Sequence, residues 1–160
     1  MRWFRFAAIT LVITILQSAF INSMPVNPNL LVILMVFFAV YSDNKDAIIT
    51  SFALGLAADL IGPAMGTLTL SFGLIGSLLA YLNRIVAIRK MTYQAAVIFI
   101  VAIAIAFLAH LLVMLKSQIT TEINYTSVIA VAVYSSIIGP FLFLPTAWWM
   151  NLKHQSSNEH

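Results

Sequence analysis

The sequence predicts an all-α polytopic membrane protein with about six transmembrane helices. Three observations carry this: composition, segmentation and the placement of charge. The 160 residues are 62% hydrophobic and 8% charged, with a mean hydropathy of +1.01; soluble domains run at about 45–50% apolar and 25% charged. A chain this short has a large surface for its volume and in water would need a polar exterior, which eight basic and five acidic residues cannot supply. Hydrophobic runs fall at 6–22, 29–42, 47–61, 67–83, 95–115 and 126–150. Placing the N-terminus and the even-numbered loops on one side gathers Arg2, Arg5, Lys45, Arg84, Arg89, Lys90 and Lys153 there. Only Lys116 is left on the other side. By the positive-inside rule both termini are cytoplasmic.

The first run follows Met1-Arg2-Trp3-Phe4-Arg5. Five further apolar segments and the lack of a small-x-small cleavage site favour an uncleaved span over a secretory signal. Ser23-Met24-Pro25-Val26-Asn27-Pro28 holds two prolines and suits an extended outer turn, with a helix entering at Asn29. The runs at 29–42 and 47–61 are short against the roughly 20 residues a span needs, and only Asp43-Asn44-Lys45-Asp46 separates them. Two thin spans are expected, with a re-entrant hairpin as the other geometry. The first, fourth, fifth and sixth runs meet the length of a span. Gly139-Pro140 and Pro145 predict a kink or local unwinding in the last helix. Trp3, Tyr41, Tyr81, Tyr93, Trp148 and Trp149 fall at predicted cytoplasmic interfaces and Tyr125 at the outer one, where amphipathic rings are favoured. Residues 1–150 thus read as a single transmembrane domain and 151–160 as a short cytoplasmic tail, disordered by its polar composition.

The same residues exclude much chemistry. There is no cysteine, hence no thiolate metal site, disulfide or Cys nucleophile. The formal charge of +3 belongs to helix flanks and makes no nucleic-acid surface. Asp59 is the only carboxylate and His110 the only histidine within the runs. Hydrolysis in the membrane or metal catalysis would need several converging polar groups. The expectation is no enzyme, no cofactor and no metal.

Asp59 still needs an account, because an ionisable group at membrane depth is costly without a partner or a purpose. Ser51, Gly55, Asp59 and Gly62 recur at spacings of three and four, which puts small residues and the carboxylate along one helix face; Gly66 continues the series. Small residues let membrane helices approach closely. A packing seam with Asp59 hydrogen-bonded to backbone or hydroxyl groups is the first expectation; binding of a partner protein, and a substrate or proton role, are the others. At 1.5 Å per residue Asp59 and His110 lie at similar depth, about 18 and 22 Å along their helices, so contact between them is a further option. The fourth helix is expected to carry a second small surface, Gly66, Gly73, Gly76, Ser77 and Ala80.

Between Pro28 and Tyr81 the pattern becomes specific. Pro28-Asn29-Leu30-Leu31-Val32 opens the second run, and Gly55-Leu56-Ala57-Ala58-Asp59-Leu60-Ile61-Gly62-Pro63-Ala64-Met65-Gly66 closes the third. This resembles the rod shape-determining protein MreD family, with its Pro-polar-Leu-Leu entry and Gly-x-x-x-Asp-x-x-Gly-x-x-x-Gly stretch. The departures are Ala57-Ala58, where bulky aliphatics are common, and a more acidic Asp43–Asp46 loop. The resemblance implies a non-catalytic subunit of the bacterial cell-wall elongation machinery in the inner membrane. It implies MreC as first partner, with MreB, RodA and a class B penicillin-binding protein in the same complex. It also implies a fold related to the substrate-binding subunits of energy-coupling-factor transporters. Asp59 and the glycines carry over as a structural signature. The turn Asn83–Met91, with Arg84, Arg89 and Lys90, is a candidate contact for a cytoplasmic partner or for anionic membrane lipids. The competing function is a small-molecule binding subunit of a transporter, for which Asp59, His110, Gln17 and Asn22 are the candidate lining groups.

Overall fold

In the computed structural model, residues 3–23, 28–62, 66–85, 91–117, 122 and 124–150 are described. The expected tail at 151–160, most of the proline turn, and Arg89 and Lys90 lie outside them. Six helices follow in order: α1 Trp3–Ser23, α2 Leu30–Tyr41, α3 Asn44–Ile61, α4 Thr67–Ile85, α5 Met91–Ser117 and α6 Tyr125–Met150. No described residue is in a strand.

Helix α2 organises the rest. Residues 30–40 contain no polar side chain, and a helix apolar all round belongs inside protein or lipid. Here it is inside protein: Leu30 to Ala39 are all buried. The other five helices form a ring about it, with α1 on α3, α3 on α4, α4 on α5, α5 on α6 and α6 back on α1, each also touching α2. At one end the ring is drawn closed by Arg5, whose guanidinium donates to the Trp149 carbonyl at 3.3 Å. Phe37, Tyr41 and Phe143 meet edge-on or tilted between α2 and α6, and Phe6 of α1 stands against Phe38.

Enclosure answers the shortness of this segment. Twelve residues span about 18 Å, well under the roughly 30 Å of a hydrocarbon core, and a bare helix of that length would leave its unpaired end groups in lipid. Each end is instead satisfied by side chains of other helices. At the N-terminal end the Leu30 N–H donates to Gln17 Oε1 of α1 at 2.7 Å. The Asn29 N–H donates to Ser135 Oγ of α6 at 2.8 Å, and Asn29 Oδ1 accepts from the Val32 N–H at 3.2 Å. At the C-terminal end Asn83 Nδ2 of α4 donates to the Val40 carbonyl, and Gln94 Nε2 of α5 to the Tyr41 hydroxyl, both at 2.8 Å. Asn29 is therefore the cap of α2 and not its first residue.

The ring turns its bulk outward. Leu11 and Ile15 of α1, Phe52, Leu56 and Leu60 of α3, Leu74 and Leu78 of α4, Ile100 and Phe107 of α5, and Ile137 and Phe141 of α6 are all exposed, the reverse of a soluble protein. By length and apolarity two helices contain a stretch that would cross a membrane, Thr92–Lys116 and Tyr125–Thr146. The described apolar stretches of α1 and α4 are Trp3–Ala19 and Thr67–Asn83. Of the two forms expected for α6, a kink or local unwinding, the unwinding does not occur: one helix runs through Pro140 and Pro145. Tyr41 is half-buried and packs between Phe37 and Phe143, whereas Trp3, Tyr81, Tyr93, Tyr125, Trp148 and Trp149 are exposed.

Candidate functional site

The α3–α4 hairpin holds the one buried carboxylate among the described residues. α3 ends where the Gly62 N–H donates to the Ala58 carbonyl at 3.0 Å. Before α4 begins, Gly66 takes φ +91°, a left-handed conformation open to glycine but strained for other residues. Gly66 leads the first N–H groups of α4 to Asp59, which stands two residues before the end of α3 and is 4% exposed. Oδ2 accepts from the Gly66 N–H at 3.0 Å, from the Thr69 N–H at 2.8 Å and from the Thr69 hydroxyl; Oδ1 accepts from the Leu68 N–H at 3.0 Å.

The arrangement is an N-cap supplied by a neighbouring helix. The opening N–H groups of a helix have no partner within it, and its dipole puts partial positive charge at that end. A carboxylate there makes charge-assisted hydrogen bonds. The acceptor positions of Asp59 are thereby taken up by α4.

Close approach makes the cap reachable. A Cβ on Gly55 would stand 2.7 Å from Thr69 Cα, 2.9 Å from the Leu68 carbonyl oxygen and 2.9 Å from Phe72 Cβ, so only glycine fits at this crossing. Farther along the same pair of helices, Ser51 fills the space that a Cβ on Gly76 would need, and the ring of Phe52 does so at Gly73. The Ser51 hydroxyl is satisfied within its own helix, donating to the Ala47 carbonyl at 2.7 Å. Ser51, Gly55 and Asp59 thus share the surface of α3 turned to α4. Gly62 sits in the helix terminus, and Gly66 has open space around it; its backbone conformation, not packing, requires glycine.

The remaining candidates are not gathered here. His110 on α5 is partly exposed, and no hydrogen bond joins it to Asp59. Gln17 serves α2. Asn22 and Arg84 lie in described helices, but their side chains, like Arg89 and Lys90 entirely, are outside the described set. Among the described residues no three His, Asp or Glu side chains come together as metal ligands. Sequence reading missed the donors Leu68 and Thr69, the interhelical caps Ser135 and Asn83, and the Gln94–Tyr41 contact. The available signal was a short Gly-bounded turn after Asp59, which brings the next helix start within reach.

The family model of the rod shape-determining protein MreD matches residues 1–152. No curated protein and no solved structure matches the chain.

Proposed function

We propose, because the chain belongs to the rod shape-determining protein MreD family, that it serves rod-shape determination as a non-catalytic subunit of the cell-wall elongation complex. It crosses the inner membrane six times with both termini in the cytoplasm, as a single domain over residues 1–150. Its helix faces hold MreC, and through that contact the complex that includes MreB, RodA and a class B penicillin-binding protein. The seam Ser51, Gly55, Asp59, Gly62 and Gly66 keeps the α3–α4 hairpin rigid, and Arg84, Arg89 and Lys90 face the cytoplasmic side.

The observation that carries this reading is the occupied carboxylate. Asp59 is the strongest candidate for intramembrane chemistry, and each of its oxygens is held by hydrogen bonds that fix one helix against the next. A buried polar group committed in this way orients structure. What the ring offers outward is apolar side chains, the material of helix-to-helix association in a bilayer. The transporter reading needs Asp59 and Gln17 as ligand groups, and both are spent on helix ends.

The test is affinity purification of the full chain from membranes in mild detergent, with the stable partners identified. MreC is expected in the eluate, retained by Asp59→Asn and lost with Gly55→Leu. An eluate without any wall-elongation protein would refute the proposal, as would a vitamin-sized ligand kept through detergent exchange.

A further inference from the structure

The apolar belt around the ring is not of one height. Helix α3 is bounded by described residues at both ends, Asp43 and Gly62. Its first turn, Asn44-Lys45-Asp46, is polar, and Lys45 is exposed. From Ala47 to Ile61 the polar side chains Thr50, Ser51 and Asp59 are buried, and Ile48, Ile49, Phe52, Leu56 and Leu60 form the exposed surface. At the far end the closing carbonyls of a helix have no partner within it, which sets a polar edge at Ile61. At 1.5 Å per residue the belt between these edges is about 21 Å high. Inclining α3 to the membrane normal only lowers that figure.

The opposite side of the ring is taller. The apolar stretches Thr92–Lys116 of α5 and Tyr125–Thr146 of α6 measure about 36 and 32 Å. Leaning by about 20–35°, within the range of membrane helices, fits both to a hydrocarbon core of roughly 30 Å. No rotation lengthens α3. It stands in the ring between α1 and α4, with α5 and α6 on the far side of α2, so the low and high belts face different lipids. A stretch shorter than the core around it is met by thinning of the bilayer or by snorkelling of flanking residues. Snorkelling by Lys45 recovers part of the deficit, at one edge only. We infer that the α3 face is a seat for thin bilayer and selects phospholipids with short acyl chains, while the α6 face takes chains of ordinary length. The inference rests on the reading of the helices as membrane-spanning, and needs no protein partner.

Fluorescence quenching of the purified full chain in phosphatidylcholine vesicles tests it. Trp3, Trp148 and Trp149 are replaced by Phe, and a single reporter is introduced as Leu56→Trp on α3 or Ile137→Trp on α6, both exposed positions. Brominated dioleoyl phosphatidylcholine, which quenches tryptophan, is competed by unbrominated dimyristoleoyl, dioleoyl or dierucoyl phosphatidylcholine, giving the relative affinity of each chain length at each face. At Leu56→Trp the short dimyristoleoyl lipid is expected to bind about threefold more tightly than dioleoyl; at Ile137→Trp it should have no advantage. A second pair on exposed sites, Leu60→Trp and Phe141→Trp, should give the same contrast, and circular dichroism should show equal helical content in all four. Equal preferences at the two faces overturn the inference, as does a preference for dioleoyl or dierucoyl chains on α3. A reporter on α3 that no lipid quenches, beside a quenched one on α6, means that protein covers the α3 face and also overturns it. Quenching at neither face refutes the membrane-spanning reading itself.

Discussion

Replacing Asp59 separates its shape from its charge, and the cap geometry gives different magnitudes for two substitutions. Asp59→Ala removes the acceptor for the Gly66, Leu68 and Thr69 N–H groups and for the Thr69 hydroxyl. The hydroxyl can rotate to another acceptor, and Gly66 is exposed, so water can take its N–H. Two backbone donors stay stranded, at about 1–3 kcal/mol each, which puts the loss near 3 kcal/mol. Asp59→Asn keeps one oxygen. Its better orientation leaves that oxygen at the Oδ2 position, where three donors converge, and turns the amide NH2 toward Leu68, where it meets a donor. One bond is lost, at about 1–2 kcal/mol. Unfolding in detergent micelles should rank wild type, Asn and Ala in that order. Hydrogen exchange at 66–69 should accelerate by about tenfold in Asn for each 1.4 kcal/mol. Cells carrying Asp59→Asn should stay rod-shaped. Two results would refute the reasoning: Ala and Asn equal to wild type in stability, or a stable Asn variant that cannot support rod shape, which would make the charge itself the functional element.

Three further outcomes follow from the same structure. Gly55→Leu should abolish the folded hairpin, since even a Cβ there comes within 2.7 Å of the α4 backbone, whereas Leu56→Ala, on a residue 57% exposed, should change stability by less than about 0.5 kcal/mol; thermal unfolding in micelles reads both. Ser135→Ala should cost about 1–2 kcal/mol by stranding the Asn29 N–H, and Ser136→Ala, whose hydroxyl bonds only to Val133 of its own helix, almost nothing. Cysteines placed at Ser42 and Ser156 should resist impermeant thiol reagents added outside intact cells while one at Ser23 reacts, and outside labelling at Ser156 would reverse the proposed orientation.

The helices were legible because every apolar run is closed by a turn of polar, glycine or proline residues, and chain polarity alone locates such boundaries. The seam on α3 was legible for a similar reason: spacings of three and four place Ser51, Gly55 and Asp59 on one face wherever that face points. What they touch was not. The donors to Asp59 come from residues seven to ten positions later, and whether they reach it depends on how the chain turns between Gly62 and Gly66. Position in the bundle was also hidden. The run at 29–42 reads as a thin span because length is compared with a bilayer, and the all-round apolarity of 30–40, which fits a protein interior equally well, carries no label saying which solvent it meets. Gln17, Asn83, Gln94 and Ser135 look like isolated polar residues for the same reason, since each serves a helix far away in sequence.

The enclosed α2 has a consequence for how the protein is made. Insertion machinery judges each segment by its own length and hydrophobicity, and a twelve-residue helix with open ends is a poor candidate for release into lipid by itself. Only Ser42 and Asp43 separate it from α3, so under the proposed topology the two enter together as one hairpin. The N-terminal end of α2 can then shelter against Gln17 of α1, already synthesised, but the Ser135 contact waits until nearly the whole chain has emerged. Throughout that interval the backbone at Asn29 lacks its final acceptor. The Asn29 bond is therefore completed only once α6 has been made, and a chain truncated before α6 would lack it.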